Sequence, residues 1–140
     1  MTFNSGGLFA AAELGGAFND GTIFELGPLG GAPLYSFAAQ ADGAAPNGGL
    51  VFDTAGNLYG TALGGGINAN CRGCGTLFKG IPPAAPGGPW GGALLWSFTG
   101  GADGTHPGPL IFDAAGTALY GTTDFAGAAT GWGTVFKLTP

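Results

Sequence analysis

The sequence predicts an all-β protein made of β-propeller-type blades, each of four antiparallel strands, in about 2.75 repeats. Three observations predict it. Short apolar runs are rich in Val, Ile, Phe, Tyr and Thr; turn-forming residues separate them at fixed places; and the whole pattern recurs along the chain. A helical reading finds no support. No apolar stripe of 3.6-residue period lasts beyond about two turns, and 32 glycines in 140 residues are too many for helices.

The recurrences define the elements. Gly21-Thr22-Ile23-Phe24-Glu25-Leu26 returns as Gly75-Thr76-Leu77-Phe78-Lys79 and as Gly133-Thr134-Val135-Phe136-Lys137-Leu138. Leu34-Tyr35-Ser36-Phe37 returns as Leu95-Trp96-Ser97-Phe98. The run from Leu50 to Thr61 returns from Leu110 to Thr122, and Ala41-Asp42-Gly43 returns as Ala102-Asp103-Gly104. A decayed copy opens the chain at Met1 to Ala10. The chain then reads as a single repeat domain, 1–140, with repeats at 1–49 and 50–109 and a partial repeat at 110–140.

Each full repeat holds four strands, a to d. In the second repeat they fall at 50–53, 57–61, 75–79 and 95–98. Between a and b, Asp53 to Asn57 predicts a tight hairpin, because Asp bonds its own downstream backbone and Gly accepts positive φ. Gly-rich loops join b to c. The c–d loop from Gly80 to Ala93 carries Pro82, Pro83, Pro86 and Pro89, and is expected to be irregular. The strand order is abcd, abcd, abc, which makes eleven strands and leaves the third repeat without its d strand.

Taken together, these motifs resemble the choice-of-anchor tandem repeat family called GloVer. The resemblance covers nearly the whole chain and is best in the second repeat and the start of the third; the first ten residues depart from it. It implies propeller-like blades in a bacterial protein that is exported or attached to the cell surface. It implies no enzymatic activity.

Charge and composition exclude several classes. Net charge is −5, with Arg72, Lys79 and Lys137 the only basic residues. Nucleic acid and anionic membranes both need clustered Lys and Arg, so neither is an expected partner. No run approaches the roughly 20 apolar residues of a membrane span. No signal peptide is expected at the start and no anchoring tail at the end. Charged residues are 8 %, against roughly a quarter in ordinary soluble domains. A surface that neutral is expected to be covered, often by another copy of the chain.

Cys71 and Cys74 form the only cysteine pair. Two ligands three apart cannot close a zinc site, and a redox pair of this spacing normally opens a helix. That leaves a local disulfide or two free thiols; a disulfide implies an oxidising, extracytoplasmic setting. A cysteine just before Gly-Thr-Val-Phe is similar to the habit of the GloVer repeats, which favours the disulfide.

Candidate chemistry is sparse. His106, the only histidine, sits in a Gly/Pro loop and reads as a solvated loop residue. Ser36 and Ser97 lie in the d-strand motif and read as packing residues, and Ser5 reads as a turn residue. No nucleophile elbow or second histidine accompanies them. Asp42, Asp103, Asp53 and Asp113 read as caps of their own turns. No catalytic residue, metal site or cofactor is expected. Trp90 and Trp132, with Asp42 and Asp103, are the candidates for ligand binding, glycans above all. Trp96 replaces Tyr35 in its motif and is assigned to the core.

An unclosed array leaves an edge at each end, which is a template for pairing with another chain. The expected function is therefore structural and non-enzymatic: an extracellular or cell-surface subunit that self-assembles into an oligomeric propeller or a filament, with strand completion between copies. The alternative is a carbohydrate-binding or adhesion module on the bacterial surface.

Overall fold

A computed structural model describes residues 1–4, 7–27, 30–67, 71, 73–85, 87–125 and 131–140. Ser5, Arg72 and Pro86 lie outside the described residues. Three antiparallel sheets follow one another along the chain. The first is an up-and-down meander of β1 (Thr2–Asn4), β2 (Gly7–Ala12), β3 (Thr22–Gly27) and β4 (Gly30–Ser36), in that order. The second contains β5 (Ala44–Pro46), β6 (Val51–Phe52), β7 (Leu58–Gly64), β8 (Thr76–Ile81) and β9 (Gly91–Ser97). Its order is β5-β7-β8-β9, with β6 also paired to β7. The third is β10 (Thr105–Phe112), β11 (Leu119–Phe125) and β12 (Thr134–Leu138), in that order. Among the described residues there is no helix.

Among the described residues there are twelve strands where eleven are expected. The extra one is β5. The first strand of the second sheet breaks between Pro46 and Val51, where Gly48 passes against the Thr61 side chain. The matching stretch of the third sheet bends at a register shift between Pro107 and Leu110, yet stays one strand. The expected irregular loop also shrinks. Ile81 pairs with Gly91, Gly80 with Gly92 and Lys79 with Ala93, so the ladder continues until Pro82 removes a donor.

Side-chain alternation then builds the core. The second sheet is covered on both faces. Leu58 and Phe78 point toward the first sheet and join Phe9, Ile23, Phe37 and Leu50. Tyr59 and Leu77 point toward the third and join Phe98, Leu110 and Leu119. This is why β7 and β8 read as near-continuous apolar runs.

The two inter-sheet layers repeat each other. Phe9 meets Phe52 edge-on at 5.0 Å, and Tyr59 meets Phe112 edge-on at 5.4 Å. Phe37 meets Phe78 at 5.1 Å, and Phe98 meets Phe136 at 5.2 Å. Each such pair contributes about 0.5–1.5 kcal/mol beyond its buried area. A Cβ at Gly60 would lie 2.5 Å from the Phe78 ring, and Gly121 stands in the same relation to Phe136. The glycine of Tyr-Gly-Thr is thus the place where the next strand's Phe lies down. Backbone bonds repeat too: Ala45 N–H donates to Asp20 O, as His106 N–H donates to Cys74 O. Cys71 and Cys74 are joined as a disulfide, their Cα atoms 5.6 Å apart, in the loop before β8.

Candidate functional site

The residues that carry chemistry gather at two clefts, one beside each layer. Both are built on the loop after a d-position strand. After β4, the chain turns through Ala41-Asp42-Gly43, with Gly43 at φ 107°. Asp42 Oδ2 accepts from Ala38 N–H at 3.1 Å and from the Tyr35 hydroxyl at 3.0 Å. After β9 the same turn recurs. Asp103 Oδ2 accepts from Thr99 N–H at 3.0 Å and from the Trp96 indole N–H at 3.1 Å. The Thr99 hydroxyl binds the other Asp103 oxygen. Thr76 Oγ1 donates to Asp42 O and Thr134 Oγ1 to Asp103 O, both at 3.2 Å, tying each loop to the next sheet.

The electrostatics follow from these bonds. Burial, helped by the hydrogen bond to Asp42 and its negative charge, pushes the Tyr35 hydroxyl up to about 12. Burial works to raise Asp103, but the donors from Thr99 and Trp96 prevail and hold its carboxyl below the ordinary value. Asp53 behaves alike: burial raises it, and donors from Asn57, Tyr59 and Ala55 bring it below that value. Asp113 is lowered first by the Thr117 backbone N–H.

The first cleft has a volume of about 170 Å³ and lies between the first two sheets. Tyr35, Phe37 and Asp42 line one side; Phe78, Trp90 and the Gly91–Leu94 backbone line the other. The structure therefore brings Asp42 and Trp90 into one site. The second cleft, of about 150 Å³, is lined by Trp96, Phe98 and Asp103 against Phe136, Lys137 and Leu138. It is the first cleft one repeat further on, without the wall that β9 supplies there.

The other candidates lie elsewhere. Trp132 is exposed just before β12 and lines neither cleft. Trp96 is not a core residue: 47 % of it is exposed, because among the described residues no strand covers it as β9 covers Tyr35. His106 takes φ 55°, as Ala45 takes φ 53°, and its ring packs edge-on against Phe125 at 5.7 Å. Ser36 Oγ and Ser97 Oγ accept from the backbone N–H of Ala17 and Ile67 and brace the neighbouring loops. Among the described residues, no three His, Cys, Asp or Glu side chains come together. Asp42, Asp53, Asp103 and Asp113 each accept backbone N–H groups of their own turns.

Sequence reasoning missed the pairing of an aromatic with the loop carboxylate. The signal was present: Tyr35 to Asp42 and Trp96 to Asp103 share a spacing of seven residues. No protein-family model, curated protein or solved structure matches the chain.

Proposed function

We propose that the protein is a non-enzymatic structural subunit, an extracytoplasmic β-repeat that assembles with copies of itself into an oligomeric propeller or a filament. The observation that carries this reading is a contrast at one register position. Ile23, Leu77 and Val135 pair with Ala11, Thr61 and Thr122 in successive sheets. Leu77 is 0 % exposed beneath the third sheet, and Val135 is 78 % exposed. Ile111, at the position of Val51, is 66 % exposed on the same bare face.

The opposite end of the array carries the complement. Phe3 holds the position of Phe52 and Phe112, pairing with Leu8 as they pair with Leu58 and Leu119. Phe52 and Phe112 pack edge-on against the sheet before them, whereas Phe3 is 79 % exposed. At the far end, Lys137 lies 5.7 Å from the Tyr120 ring centroid, as Lys79 lies 5.3 Å from that of Tyr59. Stacking the first sheet of one copy on the third sheet of another places Phe3 against Tyr120, as Phe112 meets Tyr59. Such a contact is heterologous, so it closes into a ring or runs on as a filament. Exposed apolar faces of this kind mark interaction sites.

The disulfide agrees with an oxidising compartment. The likeness of the motifs to GloVer repeats supports a bacterial surface location and propeller-type blades. Strand completion between copies belongs to the reading, although face stacking alone builds the assembly.

Phe3→Asp and Ile111→Asp test it. Each places a charge on one end face and leaves the two inter-sheet layers intact. Light scattering of the unaltered chain should give multiples of 13.6 kDa that grow with concentration, and both variants should give the single-chain mass. A single-chain mass for the unaltered protein at every concentration rejects the proposal. A carbohydrate-binding or adhesion module is the second reading, favoured by Trp90 and Asp42 sharing a cleft. Against it, the Asp42 carboxylate already serves Tyr35 and Ala38. Saturable binding of a glycan by the unaltered chain, lost in Trp90→Ala, would establish it.

A further inference from the structure

We infer that the free edge of β12, with the exposed face of Trp96, is an acceptor site for one extended peptide strand, of the pattern Gly-Gly-Ala-x-Leu-(Tyr/Trp)-Ser-Phe. The inference deepens the strand completion of the proposed function and is argued from the likeness of the three sheets; face stacking is a separate contact, so the two can fail separately.

The equivalent edge is occupied twice within the chain. β4 closes β3 and β9 closes β8, in one register. Phe24 pairs with Pro33 and Phe78 with Leu94; Ile23 pairs with Tyr35 and Leu77 with Trp96; both ladders shift register between those pairs. The two strands read Gly30-Gly31-Ala32-Pro33-Leu34-Tyr35-Ser36-Phe37 and Gly91-Gly92-Ala93-Leu94-Leu95-Trp96-Ser97-Phe98. β12 has the matching Thr134, Val135, Phe136, Lys137 and Leu138, and among the described residues only β11 pairs with it. An unpaired edge of this kind is a template for strand addition.

A second observation fixes the occupant's chemistry. In the first cleft the Tyr35 ring lies on the backbone of β9, and a Cβ at Gly92 would stand 3.2 Å from the Tyr35 Cε2. The glycine of the pattern is thus the floor on which the preceding repeat's aromatic ring rests. Trp96 has the place of Tyr35 and the same bond to its loop carboxylate, but among the described residues no such floor. The second cleft is the space where that backbone belongs. Seated in it, the strand sets its second glycine opposite Leu138 and against the Trp96 ring, its variable fourth residue (Pro33 in β4, Leu94 in β9) opposite Phe136 and its Ser opposite Thr134. β4 and β9 are both engaged in their own sheets, so the occupant is a third strand of this pattern from another repeat unit.

The probe is a synthetic peptide of residues 30–37, which contains no Trp, added to the Phe3→Asp chain so that face stacking does not intervene. Saturable binding at one site per chain is expected, with a blue shift of Trp emission that is absent in Trp96→Phe. Hydrogen exchange should slow in β12 and not in β1. A peptide carrying Gly31→Val should bind at least about tenfold more weakly, since a branched side chain cannot lie beneath the ring. Absence of binding at millimolar peptide, or equal binding of the Gly31→Val peptide, overturns the inference. Peptide binding together with a single-chain mass for the unaltered protein at every concentration supports the acceptor site and removes the self-assembly reading. Assembly of the unaltered chain without peptide binding does the reverse.

Discussion

The second and third sheets use the same residues in the same register, yet one is finished and the other is not. The second has a sheet on each face and β9 on its outer edge. Among the described residues, the third has one bare face and a bare edge at β12. Tyr59 and Tyr120 both stand over a lysine, but only Tyr59 receives a Phe ring. Tyr35 and Trp96 both donate to a loop carboxylate, but only Tyr35 is backed by a glycine of the next sheet. Burial in a repeat protein belongs to the neighbour. A repeat unit cannot cover its own faces, and identical residues become core or surface according to what stacks on them.

The two sheets differ most at Leu77 and Val135. Leu77→Ala should cost about 2–5 kcal/mol in denaturant unfolding, because it empties a fully covered site. Val135→Ala should stay within about 0.5 kcal/mol for the single chain, as an exposed substitution does. Equal losses at both sites would mean that the third sheet is covered after all.

Glycine at the crossing of strand and ring gives the next effect. Gly60→Ala pushes a methyl into the Phe78 ring and the Leu50 side chain, which should cost about 1–3 kcal/mol. The same change at Gly121, against Phe136, should cost less, because Phe136 sits near the open edge of the sheet.

Reduction of the Cys71–Cys74 disulfide closes no long loop, so it should lower stability by about 2 kcal/mol or less. It should leave the first sheet's hydrogen-exchange protection unchanged while loosening the loop before β8. Loss of protection throughout the chain would give the bridge a larger role than its position allows.

The smallest effects are in pH. Asp53, Asp103 and Asp113 are held below their ordinary value of 3.8 in the folded chain. The unfolded chain therefore takes up these protons first, and the stabilisation is present above pH 4 and declines as pH falls below it. Asp103→Asn should flatten the acid limb of the stability curve, read by denaturant unfolding between about pH 2 and 5. Tyr35 has the opposite sign. Its folded value of about 12 lies above the ordinary 10.0, so its contribution is intact below pH 10 and declines as pH rises toward 12. Tyr35→Phe should remove that alkaline slope.

Much of this was legible in the chain. Asp53-Thr54-Ala55-Gly56 and its copy announced their turns, because an Asp that bonds the next amides and a Gly at positive φ need nothing from elsewhere. The Thr-x-Phe strands were legible because period-two alternation is local. The exposure of Trp96 was not, since its motif matches that of Tyr35, and the difference lies in the covering strand: β9 lies over Tyr35, and among the described residues none lies over Trp96. Nor was the break between β5 and β6, which is set by Gly48 meeting Thr61 across the sheet. The clefts escaped notice for the same reason: Asp42 and Trp90 share a site only once two sheets face each other.

The most direct measurement is chemical cross-linking between two single-cysteine additions, Phe3→Cys in one preparation and Tyr120→Cys in another, with a short thiol-to-thiol reagent. Head-to-tail stacking predicts a cross-linked pair when the two preparations are mixed and none when either is treated alone. Cross-links within either preparation alone, or none in the mixture at concentrations where the mass shows assembly, would contradict it.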